Sequence, residues 1–220
     1  MGSLTSWRML VTRPQLATLS ATRSCGIQDL EAVGFDLNGE TLVGTRCAHE
    51  GAAAIFVKSA SGWQPVRIPG HLPGELSVLR LSTTVGVAAA LLSEVQPGVT
   101  SIRAAWESQV THTWNVSTPL SLGVRDRIVA SGVGSSGSQF VLVQTPTALR
   151  AEVISGPSGE WSVLSNLPPR PATLALEPDG TIAALSVNDT ILTVWTRAAT
   201  TSEWKRVQTI TVPIAFGSSA

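Results

Sequence analysis

Short runs of apolar residues alternate with turn-forming residues along the whole chain, without a helical period. The runs are four to eight residues long and rich in β-branched side chains. No 11-residue window carries the i, i+3, i+4, i+7 spacing of an amphipathic helix, whereas alternation and short apolar bursts are typical of strands. The pattern therefore predicts an all-β fold.

Five tryptophans divide this pattern into similar lengths. Trp7, Trp63, Trp114, Trp161 and Trp204 each open a short strand-like stretch that soon meets Pro or Gly, and their separations are 56, 51, 47 and 43 residues. This spacing is the period of a propeller blade. Each tryptophan is therefore predicted to open the last strand of a four-stranded unit. Packing between units is the first interpretation of these rings, and stacking on a sugar is the alternative.

The turn signals define four repeats and a possible fifth. Asn38-Gly39 and Pro178-Asp179-Gly180 are hairpin turns at equivalent positions of the first and last repeats. The predicted repeats span residues 30–70, 76–118, 127–166 and 172–210 of a single domain, 1–220. Residues 1–29 are predicted to hold an outer strand, Trp7–Thr12, and a long loop.

The predicted architecture is a β-propeller of four recognisable blades. Pairing of Trp7–Thr12 with Val212–Phe216 would add a partial fifth blade that closes the ring, because propellers remove exposed edges by closure. A neighbouring chain, or a missing N-terminal part of this one, are alternative ways to fill the gap. A β-sandwich is the alternative fold, since both architectures consist of short strands with closely spaced turns.

Composition excludes several classes of partner. Charged residues make up 14% of the chain and the formal net charge is zero, so the sequence carries no footprint for nucleic acid or an anionic membrane. The longest apolar run, Val85–Leu92, is too short to span a membrane. Met1–Leu10 lacks the features of a signal peptide, although a removed leader would leave export open. Arg outnumbers Lys by 13 to 2, which is typical of GC-rich bacterial coding.

Two cysteines, Cys25 and Cys47, flank a strand-like segment. They are too few for a zinc cluster, and a disulfide is the functional interpretation, with two buried thiols as the alternative. A disulfide would indicate an oxidising compartment. We therefore expect an extracellular or cell-envelope location, with the cytoplasm as the alternative.

A family resemblance covers Leu30–Ile210. Units of about 45 to 50 residues that end in a Trp strand and a Pro-containing crossing resemble exported β-propellers of the broad sialidase-like and lectin-like type. The resemblance is architectural. Ser155–Trp161 is one residue shorter than the sialidase Asp box, Ser-x-Asp-x-Gly-x-Thr-Trp, and lacks its Asp. The resemblance therefore implies a fold and no catalytic residue.

No motif in the sequence assembles catalytic or cofactor chemistry. Gly132–Gly137 matches Gly-x-Gly-x-x-Gly, but a strand follows it where a dinucleotide site needs a helix, so it predicts a hairpin turn. His49, His71 and His112 lack metal-ligand spacing and are predicted to lie at the surface. No cofactor and no metal are expected.

Four acidic residues are the candidates for a ligand face. They lie near the ends of predicted inner strands and could ring a propeller's central mouth: Asp36, Asp126, Glu177 and Asp179. Carboxylate pairs about 5 to 10 Å apart are what a glycosidase would need.

The leading functional hypothesis is a non-enzymatic, extracytoplasmic interaction module that binds a protein or a cell-envelope glycan. The alternative is a glycan-binding or glycan-processing propeller. The chain is expected to be a monomer or a small homo-oligomer.

Overall fold

A computed structural model describes residues 9–19, 22, 25–49, 54–69, 74–84, 86–134, 136–156 and 159–212. The all-β class is confirmed, because these residues form seventeen strands and one short helix. Strands occur in four successive antiparallel units, as the repeat predicts. Trp7, His71 and Pro213–Phe216 lie outside the described residues.

The first unit, unit 1, consists of β1 (Ile27–Phe35), β2 (Thr41–Cys47), β3 (Ile55–Ser59) and β4 (Gly62–Pro65). Unit 2 consists of β5 (Glu75–Thr84), β6 (Val87–Gln96), β7 (Val99–Glu107) and β8 (Trp114–Val116), followed by β9 (Leu120–Leu122). Strand β9 pairs with the first half of β7, beyond the reach of the short β8. One pairing, Arg46 with Ser77, joins the two units into a nine-stranded sheet.

Unit 3 consists of β10 (Arg127–Val133), β11 (Gln139–Gln144), β12 (Leu149–Ile154) and β13 (Ser162–Leu164). Unit 4 consists of β14 (Pro171–Leu176), β15 (Ile182–Asn188), β16 (Ile191–Arg197) and β17 (Lys205–Thr211). Each is a separate four-stranded antiparallel sheet. The Gly132–Gly137 motif spans the end of β10 and the turn into β11, where Gly134 N–H donates to the Ser138 carbonyl at 2.7 Å, so the hairpin prediction is confirmed.

The first strands of the four units lie side by side. β1 contacts β5, β5 contacts β10, and β10 contacts β14. Gly34, near the end of β1, lies against Leu81, and Gly134, just after β10, lies against Leu176 at the end of β14. Corresponding ends of these inner strands are therefore neighbours, and each unit faces the next.

Apolar layers fill the spaces between successive units. Leu42, Val78 and Trp114 belong to the layer between units 1 and 2. Leu91 and Val141 belong to the layer between units 2 and 3. Two tryptophans bind a neighbouring unit through their ring nitrogens: Trp106 Nε1–H of unit 2 donates to the Gly137 carbonyl of unit 3 at 2.7 Å, and Trp161 Nε1–H of unit 3 donates to the Thr118 carbonyl of unit 2 at 3.2 Å.

The layer between units 3 and 4 is built in the same way from Phe140, Leu142, Leu174 and Ala184, with Trp195 and Trp204 against it. Core packing of Trp114 is thus confirmed, and Trp204 also packs in a layer. Trp114 is 5% exposed, too little to offer an open stacking face, whereas Trp204 is half-buried.

The N-terminal segment corrects one prediction. Residues 9–12 are in no strand, and a short helix, α1 (Arg13–Ala17), begins within the predicted loop. Thr12 and Gln15 form a capping box: Thr12 N–H donates to Gln15 Oε1 at 2.8 Å, and the Thr12 hydroxyl accepts from Gln15 N–H at 3.4 Å. Pro14 favours the first turn of the helix.

A disulfide fastens this segment to unit 1. Cys25 is bonded to Cys47 in β2, with a Cα–Cα distance of 4.9 Å, so the predicted bridge is present. Leu16 of α1 is fully buried in the core cluster of unit 1. Gly44 of β2 points toward Val78 of unit 2, so the alternating residues Val43 and Cys47 point to the opposite face. The described residues of this segment, 9–19, 22, 25 and 26, therefore cover the face of unit 1 that is turned away from unit 2.

Candidate functional site

A cleft of about 810 Å³ opens between units 1 and 2, at the end of the inner strands where the β1–β2 hairpin lies. We call it the unit 1–2 cleft. Its floor is apolar and its mouth is polar. The floor consists of Leu42, Val57, Val66, Ile68 and Trp114, and the mouth of Asp36, Asn38, Glu40, Arg67, Glu107, His112, Thr113 and Asn115, with Pro69 beside them.

Asp36 forms the hairpin side of the mouth. Its Oδ1 accepts N–H bonds from Asn38 at 2.9 Å and from Glu40 at 2.7 Å. Gly39 completes the turn with a φ of 78°, a conformation that glycine adopts without strain. The Asn-Gly signal and the short acidic side chain therefore produce a rigid turn in which Oδ2 of Asp36 has one long bond, 3.4 Å from Asn38 Nδ2.

Glu107 connects the two units. Its side chain is 3% exposed, and it lies at the end of β7, paired with Trp114. Oε2 accepts the Leu37 N–H of unit 1 at 3.0 Å, and Oε1 lies 3.1 Å from Nδ1 of His112. A nearly buried carboxylate is tolerated only when it is hydrogen-bonded, and both oxygens of Glu107 have partners.

His112 lies opposite Asp36 on the turn between β7 and β8. Its N–H donates to the Ser108 carbonyl at 3.0 Å, and its φ of 51° is rare for a residue other than glycine. When Nδ1–H donates to Glu107, Nε2 is left toward solvent on a side chain that is 47% exposed. The fold thus holds the imidazole in one orientation by its backbone and by Glu107.

The mouth carries more negative than positive charge. Asp36, Glu40 and Glu107 supply carboxylates, and Arg67 supplies the guanidinium. Carboxylates and the Asn115 amide oxygen accept hydrogen bonds, while His112 can accept or donate at Nε2. This set suits a ligand with hydroxyl or ammonium groups.

The other predicted ligand-face residues do not join Asp36 in this cleft. Glu177 and Asp179 are exposed on the β14–β15 turn of unit 4, where Asp179 Oδ1 accepts the Thr181 N–H at 2.8 Å. Hydrogen bonds from Thr181 lower the pKa of Asp179. This turn is the unit 4 counterpart of the Asp36 turn.

Asp126 lies at the opposite end of the inner strands. It precedes β10, whose seven residues span roughly 20 Å, so it is far from the hairpin end that carries the Asp36 turn. Its Oδ2 accepts the Gly123 N–H at 3.0 Å and lies 3.6 Å from Nη2 of Arg150. The role of the four acids as one ligand face stays a prediction.

Arg150 also lies beside Glu152, which is 4% exposed, with 3.4 Å between Nε and Oε1. Burial raises the pKa of Glu152, and Arg150 opposes part of that shift.

A second cleft, of about 910 Å³, lies between units 3 and 4. Its lining is mainly aliphatic, and within the described ranges it gathers no carboxylate; the polar lining residues are Gln144, Arg150, Ser165, Asn166 and Arg170.

The described residues contain no group of three His, Cys, Asp or Glu side chains that could hold a metal ion. His49 and His112 are exposed, as predicted. Glu107 was not among the predicted site residues, because only the fold brings it to His112 and Leu37. The helix that the described residues form is far too short to cross a membrane.

Two solved structures resemble this chain in fold. One is the polysaccharide lyase Uly1, with a TM-score of 0.50 and 12% identity over 83% of this chain. The other is a putative 6-phosphogluconolactonase from Bacteroides uniformis, with a TM-score of 0.51 and 13% identity over 83% of this chain. The chain spans about half the length of these proteins, 49% and 55%. No protein-family model and no curated protein matches the sequence.

Proposed function

We propose that this protein is a glycan-binding module built from four propeller blades, units 1 to 4, and that the unit 1–2 cleft is its binding site. The propeller assignment is supported by neighbouring inner strands and by apolar layers between successive four-stranded units. In a propeller, four-stranded antiparallel units are arranged about a common axis with their first strands innermost.

One observation supports this choice of binding site. Asp36 from unit 1 and Glu107 and His112 from unit 2 meet at the mouth of a cleft whose floor is apolar. Sugars present hydroxyl groups at their edges and C–H groups on their faces. Hydroxyls would donate to Asp36 Oδ2 and bind Nε2 of His112, while the faces would pack on Val57 and Val66. Preorganised polar groups over an apolar wall are the usual composition of a small-molecule site.

The charge of the mouth selects among glycans. Three carboxylates against one guanidinium favour neutral or amino sugars and oppose uronates and sulfated sugars. The names of the two structural neighbours, a polysaccharide lyase and a putative 6-phosphogluconolactonase, make carbohydrate the first ligand class to test. Because the disulfide favours an oxidising compartment, the proposed place of action is extracellular or in the cell envelope.

The test is a glycan array probed with the oxidised protein, followed by calorimetry on the hits. We expect neutral or amino glycans to bind, and His112→Ala to weaken binding by about 5- to 30-fold, since a lost hydrogen bond to a polar ligand group is worth about 1 to 2 kcal/mol. His49→Ala is the matched control, because His49 is also exposed but lines a different part of unit 1. Binding that tolerates His112→Ala would place the glycan elsewhere.

Catalysis is a second candidate, favoured by the Glu107–His112 pair. A buried carboxylate that orients an exposed imidazole is a pattern used in general acid–base catalysis. Turnover assays on the glycans that bind distinguish the two functions. Binding without turnover indicates a lectin, and turnover that is lost in His112→Ala indicates an enzyme. If neither binding nor turnover is detected, a protein-binding module is again the leading hypothesis.

A further inference from the structure

The cleft of about 910 Å³ between units 3 and 4, which we call the unit 3–4 cleft, is separate from the unit 1–2 cleft. Val129 near the start of β10, Gln144 at the end of β11 and Leu149 at the start of β12 all line it. It therefore opens at the end of the inner strands opposite to the end that carries the Asp36 turn. Its volume is within the range of small-molecule sites, roughly 300 to 1,000 Å³.

The floor of the unit 3–4 cleft is apolar. Leu149, Leu164 and Leu167 belong to the layer between units 3 and 4, and the cleft opens where this layer ends. Bulges leave Val129 of β10 and Ala172 of β14 unpaired, and both residues line the cleft. Val129 is 52% exposed. Aliphatic surface that is open to water inside a concave site favours a ligand with an apolar part.

Arg170 supplies the uncompensated charge of this cleft. Its Nη1–H donates to Oδ1 of Asn188, a neutral acceptor, and within the described ranges Arg170 forms no ion pair. Its backbone has a φ of 49°, which is rare for a residue other than glycine, and its carbonyl accepts the Val187 N–H at 3.4 Å. The fold thus positions a guanidinium whose charge and remaining N–H groups can serve a ligand.

The other arginine of the lining, Arg150, is already neutralised. Its Nη2 lies 3.6 Å from Oδ2 of Asp126, and its Nε lies 3.4 Å from Oε1 of Glu152. Neither of these acids is among the described lining residues, so no carboxylate there opposes an anion at Arg170. The mouth of the unit 1–2 cleft has the opposite balance, and the two clefts therefore select ligands of different charge.

We infer that the unit 3–4 cleft binds an amphipathic carboxylate, a molecule with an aliphatic chain and a carboxylate at its end, as in a fatty acid. The chain packs on the floor at Leu149 and Leu167, and the carboxylate accepts hydrogen bonds from the Arg170 guanidinium, whose fork matches carboxylate geometry. The floor favours an aliphatic chain over an acidic sugar, because sugar hydroxyls packed on it would lose their hydrogen bonds to water.

The test is titration calorimetry of the oxidised full chain with octanoate. Two comparison probes each lack one half of the proposed ligand: 1-octanol has the chain without the charge, and glucuronate has the carboxylate without the chain. We expect octanoate to bind, and each comparison probe to bind at least about 10-fold more weakly, since a charge-assisted hydrogen bond and the burial of a chain each contribute that much.

Two variants test the position of the ligand. Arg170→Gln should weaken octanoate binding by about 10-fold or more, because it removes the charge. Ala172→Glu should weaken it at least as much, because it places a carboxylate in the lining. Arg125→Gln is the matched control, since Arg125 is an exposed arginine just before β10 that lines a neighbouring depression. His112→Ala, at the other end of the inner strands, should also leave octanoate binding unchanged.

Octanoate binding that falls in Arg170→Gln and Ala172→Glu and persists in Arg125→Gln and His112→Ala supports the inference. Both cleft variants replace exposed residues, so they are expected to fold, and circular dichroism checks this. A wild type that does not bind octanoate overturns the inference, as does equal affinity for 1-octanol or for glucuronate. An equal loss in Arg125→Gln would assign the effect to the overall charge of this end of the molecule and would also overturn it.

Discussion

Reduction of the Cys25–Cys47 bridge should destabilise the protein and release its N-terminal segment. The bridge closes a loop with a sequence separation of 22 residues. In the chain-entropy description, a loop of this length stabilises the folded state by about 3 kcal/mol. A helix of five residues is not stable alone, so α1 depends on this bridge and on the burial of Leu16.

The assay is thermal unfolding with and without reductant. For a chain of this size, 3 kcal/mol corresponds to a decrease in Tm of roughly 6 to 12 °C. Titration in denaturant should find no free thiol before reduction and two after it. The control is the double variant Cys25→Ala and Cys47→Ala, whose Tm should not respond to reductant.

Two outcomes would refute this reasoning. Free thiols in the untreated protein would show that the bridge is not formed. A bridge that is present, but whose reduction changes Tm by less than about 2 °C, would show that fastening the N-terminal segment to β2 does not stabilise unit 1. Limited proteolysis distinguishes global from local effects, since cleavage confined to the N-terminal segment after reduction indicates that only this segment is released from unit 1.

Two further predictions follow from packing and burial. Gly44→Ala should destabilise by about 1 to 3 kcal/mol in urea unfolding, because its Cβ would lie 2.5 Å from a Val78 methyl group, whereas Gly156→Ala, with open space around it, should change stability by less than about 0.5 kcal/mol. Burial raises the pKa of Glu152 in the folded state, so the wild type loses stability as pH rises from the unfolded pKa, about 4.3, through the higher folded pKa. The stability of Glu152→Gln relative to wild type should therefore increase over that interval and level off above it; a constant difference from acid to neutral pH would contradict the assignment.

The strands could be predicted well because local pattern and tertiary burial agree in them. Four examples are the short segments Thr41–Cys47, Arg127–Val133, Leu149–Ile154 and Ile191–Arg197, each of which forms a strand in the structure. Each of these segments lies between clear turns, and all of them except Arg127–Val133 pair on both sides, so their lengths are fixed by their neighbours. Alternation and turn chemistry are local properties that the sequence displays directly.

The elements that the sequence pattern does not predict depend on tertiary contacts or are too short to show a period. Helix α1 has five residues, less than half of an 11-residue window, and its signal was the Thr12–Gln15 capping box with Pro14. Strand β9 has three residues and exists because β7 is longer than β8. Neither has a periodicity of its own.

The candidate site also combines a local feature that the sequence predicts with tertiary contacts that it does not predict. The Asp36 turn could be predicted from Asn-Gly, which determines local backbone geometry. The meeting of Glu107 with Leu37, 70 residues away in sequence, could not, because it depends on how units 1 and 2 stack. His112 is five residues from Glu107 across a turn, and only its left-handed backbone brings the imidazole back to the carboxylate.

The bridge and the cleft depend on one strand. β2 carries Cys47 at its end and Leu42 near its start, so the strand that is bridged to the N-terminal segment also provides part of the cleft floor. Because side chains alternate along a strand, these two residues lie on opposite faces of unit 1. Cys47 faces the N-terminal segment, and Leu42 faces unit 2. Release of the N-terminal segment would expose the Val43 face of unit 1 to water and destabilise β2, although it would change none of the polar residues at the mouth of the cleft. If the proposed glycan binding is measured under reducing conditions, it will therefore depend on the stability of unit 1 as well as on the groups of the cleft. The oxidised protein is needed to test the contribution of Asp36, Glu107 and His112 alone.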